Sequence, residues 1–562
     1  MSDALQELTE FEKHADAAVV ELPVLRQPVR SLLSAIYLAA DSRYVGERFK
    51  RKRGLIDDEA GTAIITRMSH VINLLERGTR QIGANIDDAL SALDVSMKVD
   101  IENLFGYGHF CEVMPLVRRG AFSVESTASG FRLHHPNRQF ATLEENDVLL
   151  SELALPHDVR LPPHPIEAYK RMAKALPIVP GDDLVHVLQA AYHHYLNNVL
   201  ELPLISAEAF TESFGFSRHD FIHQRAALMA YADYCLGIAD AAEFFAASAV
   251  TSPRRQKYTQ EVLEWISPLL KRNHMIGFNA ALAGVDPDVA EQIVDTFTLD
   301  LDNLAHTGGG EGFFPPFLKL DDALLFSPHA VKRMMPERNL LYALLRTNRA
   351  KFDEVVSHHL EPALLADAVQ CLSAIPGVEI KQNAKWERGE IDLLAYHEAS
   401  NSALHVQAKA AVPPQGARMV AQIESRTLEG AKQIRRFLNL SGKERDAIAS
   451  AAIGRKLDRV EWSSAILVRT CLGTEKAWIG ISGYIPLNPV LLRVALNKLV
   501  EQGDFSFVKL DGAVAEELDA LRSTAIKGWS NKSFSLFGKT IDLPLLDLNY
   551  AAIAAFRNRA LA

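Results

Sequence analysis

Four cysteines in 562 residues, at positions 111, 235, 371 and 471, are too few and too scattered for a disulfide framework or a thiolate metal site. No stretch approaches the roughly 18 uninterrupted apolar residues of a membrane span. The opening MSDALQELTEFEKHADAAVVEL is acidic and lacks the apolar centre of a secretory signal. A soluble, cytoplasmic protein with no membrane partner is therefore expected. Gly308-Gly309-Gly310 is not followed by Gly-Lys-Ser/Thr, so a phosphate-binding P-loop is excluded and the run reads as a flexible connection, with a lid over a site as the alternative. His219 and His223 stand one helical turn apart. Without a Glu beside the first or a clear third ligand they read as ordinary helix-face histidines, as do His193-His194. No repeat of 20 to 50 residues is visible. A basic surplus is missing too, because the net charge is −10.

What is present is enough apolar residue, 48%, against 23% charged, for large globular cores. The length implies on the order of two to four domains. Charge is divided unevenly. Residues 341–562 carry 28 Lys+Arg and 24 Asp+Glu, leaving 32 and 46 for residues 1–340. Phosphate contact is thus more plausible in the C-terminal part.

Residues 1–153 read as helical, with amphipathic runs at SAIYLAADSRYVGERFKRK and GTAIITRMSHVINLLERG and a hairpin near 120–137. The run Lys50-Arg51-Lys52-Arg53 reads as a solvated helix end, with phosphate contact as the alternative. The Pro-rich 154–165 marks a boundary. Residues 166–336 return to long helical runs and close on a Gly/Pro-rich connection. A further unit spans 345–500, and 503–562 forms a C-terminal extension without an assignable role.

The richest segment is ERGEIDLLAYHEASNSALHVQAKAAV, residues 387–412. Glu390–Tyr396 and Leu404–Ala410 read as two strands joined by a polar turn. Alternation puts Gln407 and Lys409 on one face, with Val406, Ala408 and Ala410 on the other. A turn of about six residues sets Asp392 opposite Gln407 on that face. An acid, an amide and a lysine then converge beside an apolar sheet, a grouping suited to phosphodiester hydrolysis.

The spacing Asp392-x₁₄-Gln407-x-Lys409 resembles the PD-(D/E)xK nuclease superfamily, in particular its Mrr-like restriction endonuclease branch, over roughly residues 345–500. The resemblance implies a C-terminal α/β domain, restriction-endonuclease-like, with a central mixed sheet flanked by helices, behind a mainly α-helical N-terminal region. It implies a Mg²⁺-dependent DNA endonuclease, with Mn²⁺ able to substitute, acting in restriction or genome defence. Asp392 and Gln407 would be metal ligands, joined by the Ala408 backbone carbonyl. Lys409 would orient or deprotonate water, or offset charge on the phosphorane. Gln407 removes one negative charge that an acid would supply. The family also places an acid on the helix before the hairpin. In RAKFDEVVSHHL this is Asp353 first, then Glu354, with Glu361 as a third choice; a solvated helix carboxylate is the alternative for each.

Downstream, MVAQIESRTLEGAKQIRRFLNL reads as a helix with Ile423, Leu428, Ala431, Ile434 and Leu438 toward the sheet. Lys432, Arg435 and Arg436, with Arg426 nearby, form a basic patch for a DNA phosphate, or else a solvated outer face. A strand follows at Ala465–Arg469, and KAWIGISGYIPL continues the strand pattern. Asn488 and Pro489 give a helix start. DNA is the expected partner, with a homodimer for double-strand cutting and a protein partner on the acidic N-terminal region. A catalytically inactive nuclease fold that binds DNA or protein is the alternative.

Overall fold

The computed structural model describes residues 3–27, 74, 95–154, 165–176, 181–198, 203–300, 312–320, 322–414 and 417–561. The expected helices over 34–52 and 61–78 (Leu74 apart), the basic run 50–53, the Pro-rich boundary and the glycine run 308–310 lie outside these residues. The architecture is mixed α/β, with helices predominating and several sheets.

The segments 1–153 and 503–562, separate in the sequence, share one sheet. The hairpin Ser123–Thr127/Gly130–His134 forms as expected, and its second strand pairs in parallel with Lys539–Leu548, which pairs in turn with Ile526–Leu536. Gly130 is required at this junction. A Cβ there would sit 2.0 Å from the Thr540 carbonyl oxygen.

The middle of the chain is helical. Its longest element, Arg218–Ser248, is capped by Ser217, whose hydroxyl accepts from Asp220 N–H. Its face from Ala226 to Ala242 is largely buried, so this helix passes through the core and does not lie on it. That core runs without a break from Leu149, through the helical segments, to the C-terminal sheet and on to Ala560. Buried residues on both sides of positions 153, 336 and 503 belong to this one cluster.

The C-terminal sheet carries the interest. Helix α1 (Leu360–Ser373) leads into β1 (Val378–Trp386), β2 (Gly389–His397) and β3 (Ser402–Lys409). After α2 (Ala417–Leu438) and α3 (Gly442–Ile453) come β4 (Glu461–Val468), the short helix α4 (Glu475–Gly480), β5 (Ile485–Leu487) and α5 (Pro489–Glu501). The order across the sheet is β5-β4-β3-β2-β1. β1, β2 and β3 form an antiparallel meander, while β4 and β5 join in parallel. Helices cover both faces, so β2 and β3 are nearly continuous runs of buried residues and not a simple alternation. α2 buries Ile423, Ala431, Ile434 and also Phe437, while Leu428 and Leu438 are half-buried.

KAWIGISGYIPL departs from the strand expectation. Thr474 accepts from Lys476 N–H and starts helix α4, so only Ile485–Leu487 remains a strand. Asn488 and Pro489 begin α5 as expected, the Asn488 side chain accepting from Leu491 N–H.

Candidate functional site

Both strands of the hairpin extend one or two residues beyond the sequence expectation at the turn, which shortens to Glu398–Asn401. Asn401 takes φ +46 there, a conformation asparagine tolerates. The register is kept. The last ladder pair at the open end is Leu393 with Val406, and one step further puts Asp392 opposite Gln407. The ladder stops at that point. The next amide, Ala408 N–H, donates 2.8 Å to Asp392 Oδ2, so a side chain takes the place of a backbone partner. Lys409 Nζ lies 4.0 Å from the same carboxylate, both side chains being 14% exposed. The expected acid–lysine pair is therefore brought together, half-open to solvent at one end of the sheet.

Burial pushes the Asp392 carboxyl up to about 6, against the opposing pull of Lys409 and Ala408 N–H; Glu361 and Glu390 push it further upward. The folded chain thus keeps a proton that an unfolded aspartate releases near 3.8. Stability from this group is fully present below about pH 4 and is lost as pH rises through about 6. Asp392→Asn should consequently raise the unfolding midpoint at pH 8 in chelator, by up to about 3 kcal/mol. The gain should be much smaller at pH 4. Equal gains at both pH values would show that burial of the charge is not the cause.

The three candidate helix acids are placed differently. RAKFDEVVSHHL does not continue into α1: one helix, Arg349–His358, ends at His359 and α1 begins at Leu360. Asp353 is exposed and pairs with Arg349 at 3.5 Å, while Glu354 is exposed and pairs with Lys351 at 3.2 Å. Neither acts on the Asp392 carboxyl. Glu361, in the first turn of α1, does. Its carboxyl is raised by burial, lowered by Lys409 and Arg426, and raised again by Glu390 and Glu429. The helix break is the physical reason, since it moves the acid one helix closer to the sheet. Pro362 was its signal: a proline is harmless in a first turn and disruptive in a helix interior.

Gln407 is buried, and its Nε2 donates 2.7 Å to the Glu390 backbone carbonyl, while its Oε1 is buried with no hydrogen-bond partner. Helix α2 lies across Lys409, with Gly430 so close that a Cβ would come within 3.2 Å of Lys409 Cγ and Cε. Arg426 donates 2.7 Å to the Ala410 carbonyl and stands beside Glu361. Lys432, Arg435 and Arg436 are exposed. By helical spacing Lys432, Arg435 and Arg436 all fall on the side of α2 away from Gly430, and Arg426 alone of the four lies within about 40° of it. The basic patch is divided, and only part of it borders the site.

Residues from the first segments brace this arrangement, which local sequence patterns could not reveal. Asp147 accepts from Leu472 N–H at 2.8 Å and from Trp478 Nε1 at 2.9 Å; burial raises its carboxyl to about 7. Arg119 donates 2.8 Å to Glu424 of α2, which also receives the Thr474 hydroxyl. Gly473 sits between them at φ +127, where a Cβ would lie 2.7 Å from Glu424 Cα. Gly473→Ala should destabilise the chain by more than about 2 kcal/mol, measured by denaturant unfolding. A change below about 0.5 kcal/mol would show that the loop relaxes freely.

His219 and His223 stack at 4.4 Å, and His223 Nδ1 lies 2.7 Å from the Tyr192 hydroxyl. Among the described residues no group of three or more His, Cys, Asp or Glu is placed to hold a metal ion. No helix among them is long and apolar enough to cross a membrane. No family model matches the sequence, and no curated protein or solved structure matches it.

Proposed function

We propose that this chain is a metal-dependent endonuclease that hydrolyses DNA phosphodiester bonds, with its site at the open end of the β2–β3 hairpin. One observation carries the reading: the Asp392 carboxylate, bonded to Ala408 N–H, stands 4.0 Å from Lys409 Nζ on the neighbouring strand. Further support comes from the order of elements, α1, three antiparallel strands, α2 and then a parallel strand, which agrees with a mixed sheet flanked by helices.

The residues present fit a hard divalent cation. Gln407 Oε1 is an orphaned buried acceptor, and the Asp392 and Glu361 carboxyls are both raised by burial, so a positive charge would relieve all three. Asp392, Glu361 and Gln407 Oε1 would hold Mg²⁺ or Mn²⁺, with the Ala408 carbonyl as the backbone ligand that the nuclease resemblance implies. Two carboxylates suffice for a cation that keeps several waters and takes substrate phosphate oxygens. When bound, such an ion supplies a more acidic water and offsets charge on the scissile phosphate. Lys409, held by Asp392 and by the close approach of Gly430, orients the attacking water or neutralises the phosphorane. Arg426, which borders Glu361, is placed for a neighbouring phosphate.

The test is cleavage of supercoiled plasmid by the full chain with Mg²⁺ or Mn²⁺ and without either. A second reading, a nuclease-fold protein that binds DNA without cutting it, is favoured by one observation: among the described residues no group of three or more His, Cys, Asp or Glu is placed to hold a metal ion. Salt-sensitive DNA binding with no cutting in either ion selects that reading.

A further inference from the structure

The amide of Gln407 is held by two groups, and their chemistry decides which way it points. Its Nε2 lies 2.7 Å from the Glu390 backbone oxygen. A carbonyl oxygen only accepts, so the NH₂ end must face it; the reversed amide would set oxygen against oxygen. The same nitrogen lies 3.4 Å from His405 Nε2. His405 is buried, with its ring 4.6 Å from that of Phe437 in an edge-on contact. Because the amide turns its N–H groups this way, His405 Nε2 is the ring nitrogen that accepts. The second amide hydrogen then goes to Nε2 and the ring proton to Nδ1, which is itself buried with no hydrogen-bond partner. Both acceptors draw the nitrogen inward and leave Oε1 buried without a donor.

We infer that His405 is a positioning residue: together with the Glu390 carbonyl it locks the Gln407 amide so that Oε1 is presented to the cation. The inference rests on the metal-site reading above. It also accounts for glutamine at this place in the motif. A carboxylate at position 407 would press an oxygen against the Glu390 carbonyl and against an imidazole nitrogen that carries no proton. The lost negative charge thus follows from what lies behind the residue, and the site keeps an oxygen ligand at the cost of charge.

The experiment uses the full chain with isotope-labelled glutamine, the Gln407 side-chain resonance being identified by its loss in Gln407→Glu, alongside Mn²⁺ titration by electron paramagnetic resonance. Both Gln407 NH₂ protons should exchange slowly with solvent in the unmodified chain. His405→Phe should speed that exchange and weaken Mn²⁺ binding about ten-fold, the loss of roughly one hydrogen bond. His405→Gln, which returns an acceptor, should restore binding to within about two-fold. A merely structural histidine would move the unfolding midpoint without this split between the two variants. Unchanged exchange and affinity in His405→Phe overturn the inference. Fast exchange in the unmodified chain does so whether or not any variant folds. Slow exchange without Mn²⁺ binding upholds the lock and counts against the metal site, so the two readings fail separately.

Discussion

Lys409→Ala should lower Mg²⁺-dependent plasmid cleavage by about a thousand-fold or more, and Asp392→Ala should do the same. The two groups share one carboxylate–ammonium contact of 4.0 Å, and neither has a substitute at that distance. Removing the lysine leaves Asp392 buried with only the Ala408 N–H and distant charges to oppose its protonation, so its carboxyl should rise further. Removing the acid takes away the one carboxylate bonded to the β3 backbone. Lys409→Arg should be nearly as damaging as alanine. Gly430 closes over Cγ and Cε of the lysine, which leaves no room for a planar guanidinium in the same place. Circular dichroism and unfolding midpoints close to those of the parent would tie the losses to chemistry. Continued cutting by both alanine variants would sink the assignment.

Glu361→Ala and Asp353→Ala should differ by about a hundred-fold in cleavage rate, the first strongly impaired and the second within about two-fold of the parent. Glu361 is coupled to Asp392, Lys409 and Arg426; Asp353 is coupled to Arg349 on an exposed helix turn. The comparison has an internal control, because Asp353→Ala removes a surface ion pair of the kind worth less than about 1 kcal/mol. Glu361→Gln should keep the fold and lose most of the cutting, since the amide retains shape and one ligand oxygen but no charge. Equal activities for the two alanine variants would return the helix acid to an open question.

Much of the site was legible because it is local. The period-two alternation in β2 and β3 fixes which side chains share a face, and the turn between them sets the pairing, so Asp392, Gln407 and Lys409 could be placed from spacing alone. The cap at Asn488 was equally local. Glu361 was harder. The pattern through RAKFDEVVSHHL continues smoothly on paper, and only Pro362 marks the break that shifts the acid onto a new helix. His405 gave no sign at all, since an inward histidine between Leu404 and Val406 looks like any core residue until its ring is seen beside the amide. Asp147, Arg119 and Gly473 were out of reach for a different reason. They contact residues from about fifty to more than three hundred positions away, and no periodicity encodes such meetings.

Parallel pairing of Gly130–Arg132 with Thr540–Asp542 has a temporal consequence. The early hairpin cannot acquire its inner neighbour until synthesis has passed residue 542, about 400 positions later, so this layer must close late. Before then Gly130–Arg132 presents a bare strand edge, and Phe131 and Leu133 lack the cover of Leu536 and Ile541. Removing residues 526–562 would leave the same edge open permanently, and aggregation of the shortened chain is the outcome to expect.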